Sequence, residues 1–133
     1  LKSITTSLIY TDVTPKKTYF ITLNQWFDES LLNEDSSQNL YFPSVNKKNF
    51  DEFNQEYFKK YSSEPNQISL LGFDMVGLIF YLSKVNNFQL NNKIFDQKNT
   101  FKGKIGLFEI EDKRIKHVLN FYKVENNKFK KIF

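Results

Sequence analysis

The sequence predicts a mixed α/β domain, and three observations support this fold class. Residues 49–85 carry two helical patterns in succession, residues 18–23 form a short β-branched and aromatic run, and residues 117–124 alternate like a strand. The chain has 133 residues, of which 40% are hydrophobic, which is enough for one small domain with its own core. We expect a parallel sheet flanked by helices, followed by antiparallel hairpins near the C-terminus.

The first helical pattern covers residues 49–61, where aromatic residues recur at the three-four spacing of one helix face. We expect Asn49 to cap this helix, because Glu52 stands three residues later, where a capping box requires an acid. Residues 62–65 break the pattern, since a proline disfavours a helical residue before it. The aromatic positions of the predicted face are Phe50, Phe53, Tyr57, Phe58 and Tyr61.

The second pattern, residues 68–85, has apolar residues all round the helical circle, which is typical of a helix buried in a core or in a membrane. A membrane span needs about 20 mostly apolar residues, whereas this run contains Ser69, Asp74 and two glycines. The sequence therefore favours a soluble helix with most of its apolar side chains buried.

The C-terminal part predicts strands at 104–110, 117–124 and 128–133, at least two of them antiparallel neighbours. Asn126-Asn127 can adopt positive φ and suits a hairpin turn. We expect Gly103 or Gly106 to have a positive φ or to pack closely against another backbone.

The N-terminal part predicts the end of a helix at 1–10, a strand at 18–23 buried on both faces, and a strand at 40–43. In an open α/β sheet, residues just past the carboxyl end of a strand line the ligand crevice. Gln25, Trp26 and Phe27 occupy that position and are candidate ligand contacts. The alternative is that Trp26 covers an edge of the hydrophobic core.

Composition excludes several classes of function. The chain has no cysteine, so it can form neither disulfides nor Cys-based metal or catalytic sites. The net charge of +4 is spread over separate lysine pairs, without the clustered stripe that nucleic-acid binding requires. His117 is the only histidine and has no evident catalytic partner. No metal or cofactor motif is present, and we expect no cofactor.

The order of these motifs resembles type I periplasmic binding proteins. Three successive features are similar to the family's penultimate helix pair: the aromatic positions Phe50, Phe53, Tyr57 and Tyr61, the Glu64-Pro65 turn and the Gly72–Val76 segment. The hairpin pattern from Phe101 through Gly103 and Gly106 to Phe108 is also similar. Asn24–Leu32 resembles a pattern of the penicillin-binding-protein activator subgroup, and amino-acid receptors of ABC transporters align less closely.

This resemblance implies the C-terminal part of a two-lobed type I fold, and we expect a longer protein. The second lobe would comprise residues of about 1–43 and 92–133, and the first lobe would comprise residues of about 44–91. Phe73 and Asp74 would approach the ligand cleft from the lobe opposite Gln25, Trp26 and Phe27, with an ammonium group or neutral donor near Asp74. The alternative is that Asp74 satisfies the first-turn N–H groups of its own helix.

The function implied by the resemblance is non-enzymatic and periplasmic. It is most like activator lipoproteins that regulate peptidoglycan synthases, with a lipid anchor on a missing N-terminus. The alternative is a solute receptor that delivers an amino-acid-like ligand to an ABC transporter. A third possibility is an enzyme on an α/β scaffold, because a fold does not decide function. The partners would be such a ligand or a synthase, and the chain would pair with a missing N-terminal half or another copy.

Overall fold

The computed structural model describes residues 1–23, 27–89, 95 and 99–133. It contains both helices and sheets, so the structure is of the mixed α/β type, as predicted. In chain order the elements are α1 (Lys2–Tyr10), β1 (Phe20–Ile21), β2 (Leu40–Ser44), α2 (Lys47–Tyr61), α3 (Gln67–Val85), β3 (Asn99–Lys102), β4 (Leu107–Glu111), β5 (Arg114–His117), β6 (Asn120–Glu125) and β7 (Lys128–Lys131).

The chain divides into two compact units. The first, called here the split unit, combines Leu1–Ser44 with Asn120–Phe133, and the second, the contiguous unit, is Val45–Leu119. Residues 99–119 thus pack in the same unit as α2 and α3, whereas the predicted lobes grouped them with residues 1–43. The assignment of lobes stays a prediction.

The split unit contains a four-stranded mixed sheet with the order β1-β2-β6-β7. β1 and β2 are parallel, with Phe20 opposite Leu40, and the β2–β6 and β6–β7 pairs are antiparallel. The strand predicted at 18–23 is reduced to two residues, while the strand predicted at 40–43 is present and includes Ser44. Because β2 pairs with β6 across residues 45–119, the sheet is built from segments distant in sequence.

The turn between β6 and β7 confirms the predicted asparagine hairpin. Asn126 and Asn127 have φ values of 51° and 55°, which is the left-handed region required at both central positions of a type I′ turn. Asparagine tolerates this conformation better than most non-glycine residues. The turn sets Val124 opposite Phe129 and so directs both toward the same face of the sheet.

An aromatic cluster forms the core of the split unit. Phe42 has no solvent exposure, and its ring centroid lies 5.8 Å from that of Tyr122 and 5.8 Å from that of Phe129. Phe27 closes the cluster with an edge-on contact to Tyr122 at 4.9 Å. Edge-to-face and offset pairs at these distances stabilise a core beyond the burial of area alone.

Glu125 makes the β6–β7 hairpin sensitive to acid. Its carboxylate accepts hydrogen bonds from Lys123 Nζ at 2.6 Å and Lys130 Nζ at 2.7 Å, which lower the pKa of Glu125 from 4.5 to about 2. Because the folded pKa is below the unfolded value, this stabilisation is present above pH 4.5 and is lost as the pH falls toward 2. We expect an NMR titration to place the Glu125 carboxyl near that lower value.

A matched variant tests the cause of this titration. Lys123→Met should raise the pKa of Glu125, because it removes the hydrogen bond that lowers it most. Glu125→Gln should unfold with a weaker pH dependence between pH 5 and 2 than the unchanged protein. Titration of Glu125 at its ordinary pKa in the unchanged protein would contradict the geometry.

The contiguous unit places α3 against a three-stranded sheet with the order β3-β4-β5. Leu78 and Leu82 of α3 form its buried cluster with Ile110 of β4, and Phe101 and Ile115 pack around them. The strands are antiparallel, and the β6–β7 pair is antiparallel as well, so the predicted C-terminal hairpins are confirmed. The segment predicted as one strand at 117–124 is divided, because β5 ends at His117 and β6 begins at Asn120.

The helix pair has the predicted extent, but α2 has a different cap. Asn46, not Asn49, caps α2: its side chain accepts a hydrogen bond from the Asn49 N–H at 3.2 Å. Asn66 caps α3 in the same way, through the Ser69 N–H at 2.8 Å. The chain leaves α2 through Ser62, whose φ of 51° ends the helix where the break was predicted.

The prediction that most apolar residues of α3 are buried is wrong. The buried side chains of this helix lie mainly on one stripe at spacings of four residues, while Val76 is 69% and Phe80 61% exposed. The described residues supply packing partners along that stripe and leave much of the opposite face uncovered. By length and composition alone, residues 68–85 could also cross a membrane, but the core helix of a soluble protein passes the same test. The stripe is formed by Leu70, Asp74, Leu78 and Leu82.

Candidate functional site

Asp74 connects α3 to the turn between β3 and β4 through hydrogen bonds. Its side chain is buried, and its carboxylate accepts hydrogen bonds from the Lys104 N–H at 2.6 Å and from the Ile105 N–H at 3.0 Å. Asp74 lies two turns into α3, so it does not serve the free N–H groups at the start of that helix. Within the described residues, the carboxylate holds a turn some thirty residues later in the chain.

Gly103 leaves room for this carboxylate. A Cβ added at Gly103 would lie 2.6 Å from Asp74 Cγ and would also overlap Asp74 Oδ2 and the Phe108 ring. Neither Gly103 nor Gly106 has a positive φ, and the atoms nearest a Cβ at Gly103 belong to side chains. The prediction of a positive φ or of close packing against another backbone is therefore wrong. Gly106 accepts a hydrogen bond from the Gly103 N–H at 2.8 Å and has open space around it.

His117 packs at the end of β5. Its imidazole stands edge-on to the Phe108 ring, with the centroids 4.1 Å apart. Burial lowers the pKa of His117, and the charge of Asp74 opposes that effect only in part. A neutral imidazole against an aromatic ring is what we expect of a histidine with a packing role.

The predicted ligand contacts fall in different parts of the chain. Gln25 and Trp26 lie outside the described residues. Phe27 is 7% exposed in the aromatic core of the split unit, whereas Phe73 and Asp74 belong to the contiguous unit. These last two are neighbours in sequence but face differently, because Phe73 contacts Phe53 of α2 at 5.4 Å and Asp74 points to the β3–β4 turn.

A groove between α2 and α3, called here the helix-pair groove, was not predicted as a site. It has a volume of about 650 Å³, within the range of small-molecule sites. Two glycines on α3 deepen it, since a Cβ at Gly72 or Gly77 would meet nothing within 4 Å. The aromatic face of α2 was the available signal, but the sequence predicted that most apolar side chains of α3 would be buried. The groove is lined by Phe53, Glu56, Tyr57, Lys60, Tyr61, Ser69, Gly72, Phe73, Val76, Gly77 and Phe80.

Comparison with known proteins places this geometry in a fold. No family model matches the sequence, and no curated protein matches it. An extracellular ligand binding receptor from Desulfohalobium retbaense DSM5692 superposes on 98% of the chain with a TM-score of 0.68 and 17% sequence identity. The chain has a type I periplasmic-binding-protein-like fold.

A second structure agrees with this binding-protein-like fold. A branched-chain amino acid ABC transporter protein from Rhodospirillum rubrum matches 84% of the chain with a TM-score of 0.65 and 14% identity. The chain spans 24% of the length of the first structure and 36% of the second. At these identities the likeness establishes the fold.

Proposed function

We propose that the chain is part of a solute receptor that binds an amino-acid-like ligand for an ABC transporter. The observation that carries the proposal is the likeness in fold to a protein described as an extracellular ligand binding receptor and to a branched-chain amino acid ABC transporter protein. The first of these proteins is described as extracellular, so we propose a periplasmic or extracellular location. A lipid anchor is a further proposal.

The activator function, which Sequence analysis placed first, stays a prediction. Neither structural neighbour is described as a regulator of peptidoglycan synthesis, and the neighbours' descriptions favour the transporter alternative. A peptidoglycan synthase partner is therefore not part of the proposal, but muropeptides belong among the ligands to be tested.

We propose binding rather than catalysis. Both neighbours are named as binding or transport proteins. In the described ranges, no group of three or more His, Asp or Glu side chains is arranged to hold a metal ion. Asp74 is buried and contacts backbone N–H groups, and His117 is half-buried and contacts an aromatic ring.

The proposed ligand contacts are Gln25, Trp26 and Phe27, with Phe73 and Asp74. The hydrogen bonds of Asp74 make its substitution a poor test of ligand binding, since they hold the β3–β4 turn. Trp26 is the better probe, because an indole can pack on an apolar ligand and still donate a hydrogen bond. Tyr10, 88% exposed on α1, supplies an aromatic control on the surface.

The proposal includes pairing of the chain with an N-terminal half or with another copy. Two features of β1 support it: in the described sheet this strand has a neighbour on one side only, and Tyr19, Ile21 and Leu23 beside it are exposed. An apolar edge strand is a template for pairing with a further strand.

Calorimetry on the full-length protein tests the function. We expect one or more aliphatic or aromatic amino acids to bind saturably, Trp26→Ala to weaken that binding about tenfold or more, and Tyr10→Ala to leave it unchanged. Sedimentation of the 133-residue chain alone should show self-association. Replacement of Ile21 by a charged residue should reduce this self-association. Binding of muropeptides instead of amino acids would favour the activator function, and binding of neither would refute both.

A further inference from the structure

We propose that His117 is a pH-sensitive latch between β5 and α3, in which the neutral imidazole closes the contact and the protonated imidazole releases it. The latch lies wholly within the contiguous unit, and its operation requires no ligand. Three features of this unit support it: the apolar pocket that His117 lines, the charged groups around the ring, and the place of β5 at an edge of its sheet.

The imidazole faces an apolar pocket. His117 lies opposite Phe108 in the β4–β5 pair and stands edge-on to that ring. Both rings line a pocket of about 300 Å³ where the N-terminal half of α3 meets the sheet, and the remaining lining residues are apolar side chains and Gly72. Within the described residues, the imidazole has no hydrogen-bond partner. A proton on this ring would place a charge against an apolar surface, where desolvation disfavours it.

The charged groups around the ring compensate little for this desolvation. Among the described residues, Asp74 supplies the charge that acts on the imidazole from α3, and its attraction offsets the loss of hydration only in part. The charged side chains of β4 and β5 lie on the face of the sheet opposite His117, because successive side chains of a strand point to opposite sides. They are Glu109, Glu111, Arg114 and Lys116.

The latch opens toward acid pH. Burial lowers the pKa of His117 from 6.5 in the folded chain. At a pH well above 6.5, the ring is neutral whether β5 is closed or released, and the contact has its full stability. As the pH falls below 6.5, the released form takes up a proton before the closed form does, so the contact loses stability.

The strand β5 is the element that a charged His117 would displace. It is an edge strand of the described sheet, with the order β3-β4-β5, so its ladder pairs with β4 alone. Local opening of such a short edge strand costs less free energy than global unfolding. Its separation gives the imidazole access to water and leaves the buried cluster of Leu78, Leu82 and Ile110 in place.

Hydrogen exchange measured by NMR on the 133-residue chain tests the latch. Between about pH 7.5 and about pH 5.5, we expect a loss of protection at the β5 amides that pair with β4, and constant protection in α2. Protection factors are the quantity to compare, because they correct for the pH dependence of chemical exchange. His117 is the only histidine in the sequence, so its ring signals can be followed alone, and their midpoint should lie below pH 6.5.

Three variants identify the group responsible. His117→Phe keeps a ring opposite Phe108 without the titrating group, and His117→Gln is a second neutral replacement, so both should protect β5 equally at the two pH values. Lys116→Gln is the matched control, since its side chain lies on the opposite face, and it should keep the pH dependence of the unchanged chain. The proposal is overturned if His117 titrates at pH 6.5 or above, if β5 in the unchanged chain is equally protected at both pH values, or if the neutral variants show the same loss. An equal loss of protection in α2 would also overturn it, because the response would then be global.

Discussion

Replacing Asp74 with alanine is expected to lower the free energy of unfolding of the contiguous unit by roughly 2–6 kcal/mol. The change leaves the partly buried N–H group of Lys104 and the buried N–H group of Ile105 without their acceptor, and each orphaned donor costs about 1–3 kcal/mol. Urea denaturation followed by circular dichroism measures the loss. In the Asp74→Ala variant, amide hydrogen exchange should accelerate more at Lys104 and Ile105 than elsewhere in the contiguous unit.

Two glycine variants separate this contact from a general effect of mutation near the turn. Gly103→Ala should be destabilising by about 1–3 kcal/mol, because the added methyl group overlaps the Asp74 carboxylate and the Phe108 ring. Gly106→Ala should be nearly neutral, since the nearest atom to its Cβ is the Val118 carbonyl oxygen at 4.0 Å. Equal stability of Asp74→Ala and the unchanged chain would mean that the turn is held by other contacts.

Replacing Phe42 with alanine is expected to lower the free energy of unfolding of the split unit by about 3–5 kcal/mol, the usual cost of a phenylalanine-to-alanine change in a core. Phe42 has no exposed surface and contacts Phe27, Tyr122 and Phe129, so its removal leaves a cavity among three rings. Those rings come from three separate segments and cannot collapse on the cavity without moving the strands.

Phe133→Ala is the matched control for this core variant. Phe133 belongs to the same unit and stacks on Phe121 at 5.3 Å, but it is 75% exposed. Its removal should change stability by no more than about 0.5 kcal/mol. A cost for Phe42→Ala as small as that of the control would show that the aromatic cluster is loosely packed.

Local patterns in the sequence were sufficient to locate the helices and the asparagine turn. The span of α3 follows from its apolar run and the preceding proline, and the turn at Asn126-Asn127 follows from two residues that tolerate positive φ. The α2 cap was placed three residues late because Asn46 and Asn49 both precede good helix formers, and the sequence does not show which of them turns its side chain back.

Features that depend on contacts between distant residues could not be predicted in this way. A helix apolar on all faces indicates which surfaces avoid water but not which neighbours cover them, so the burial of α3 was overestimated. The role of Asp74 depends on a turn about thirty residues away, and no periodicity carries that information. The helix-pair groove was missed for the same reason, because it exists only where α2 and α3 meet without covering Gly72 and Gly77.

The division of the sheet between two distant segments fixes an order of events during synthesis. β1 and β2 leave the ribosome before their partners β6 and β7, which are made only after the whole of residues 45–119. The contiguous unit can therefore fold while the chain is still growing, whereas Phe42 must wait in a nascent segment without Tyr122 and Phe129. A chain stalled before Asn120 would present this apolar strand to chaperones and to other nascent chains.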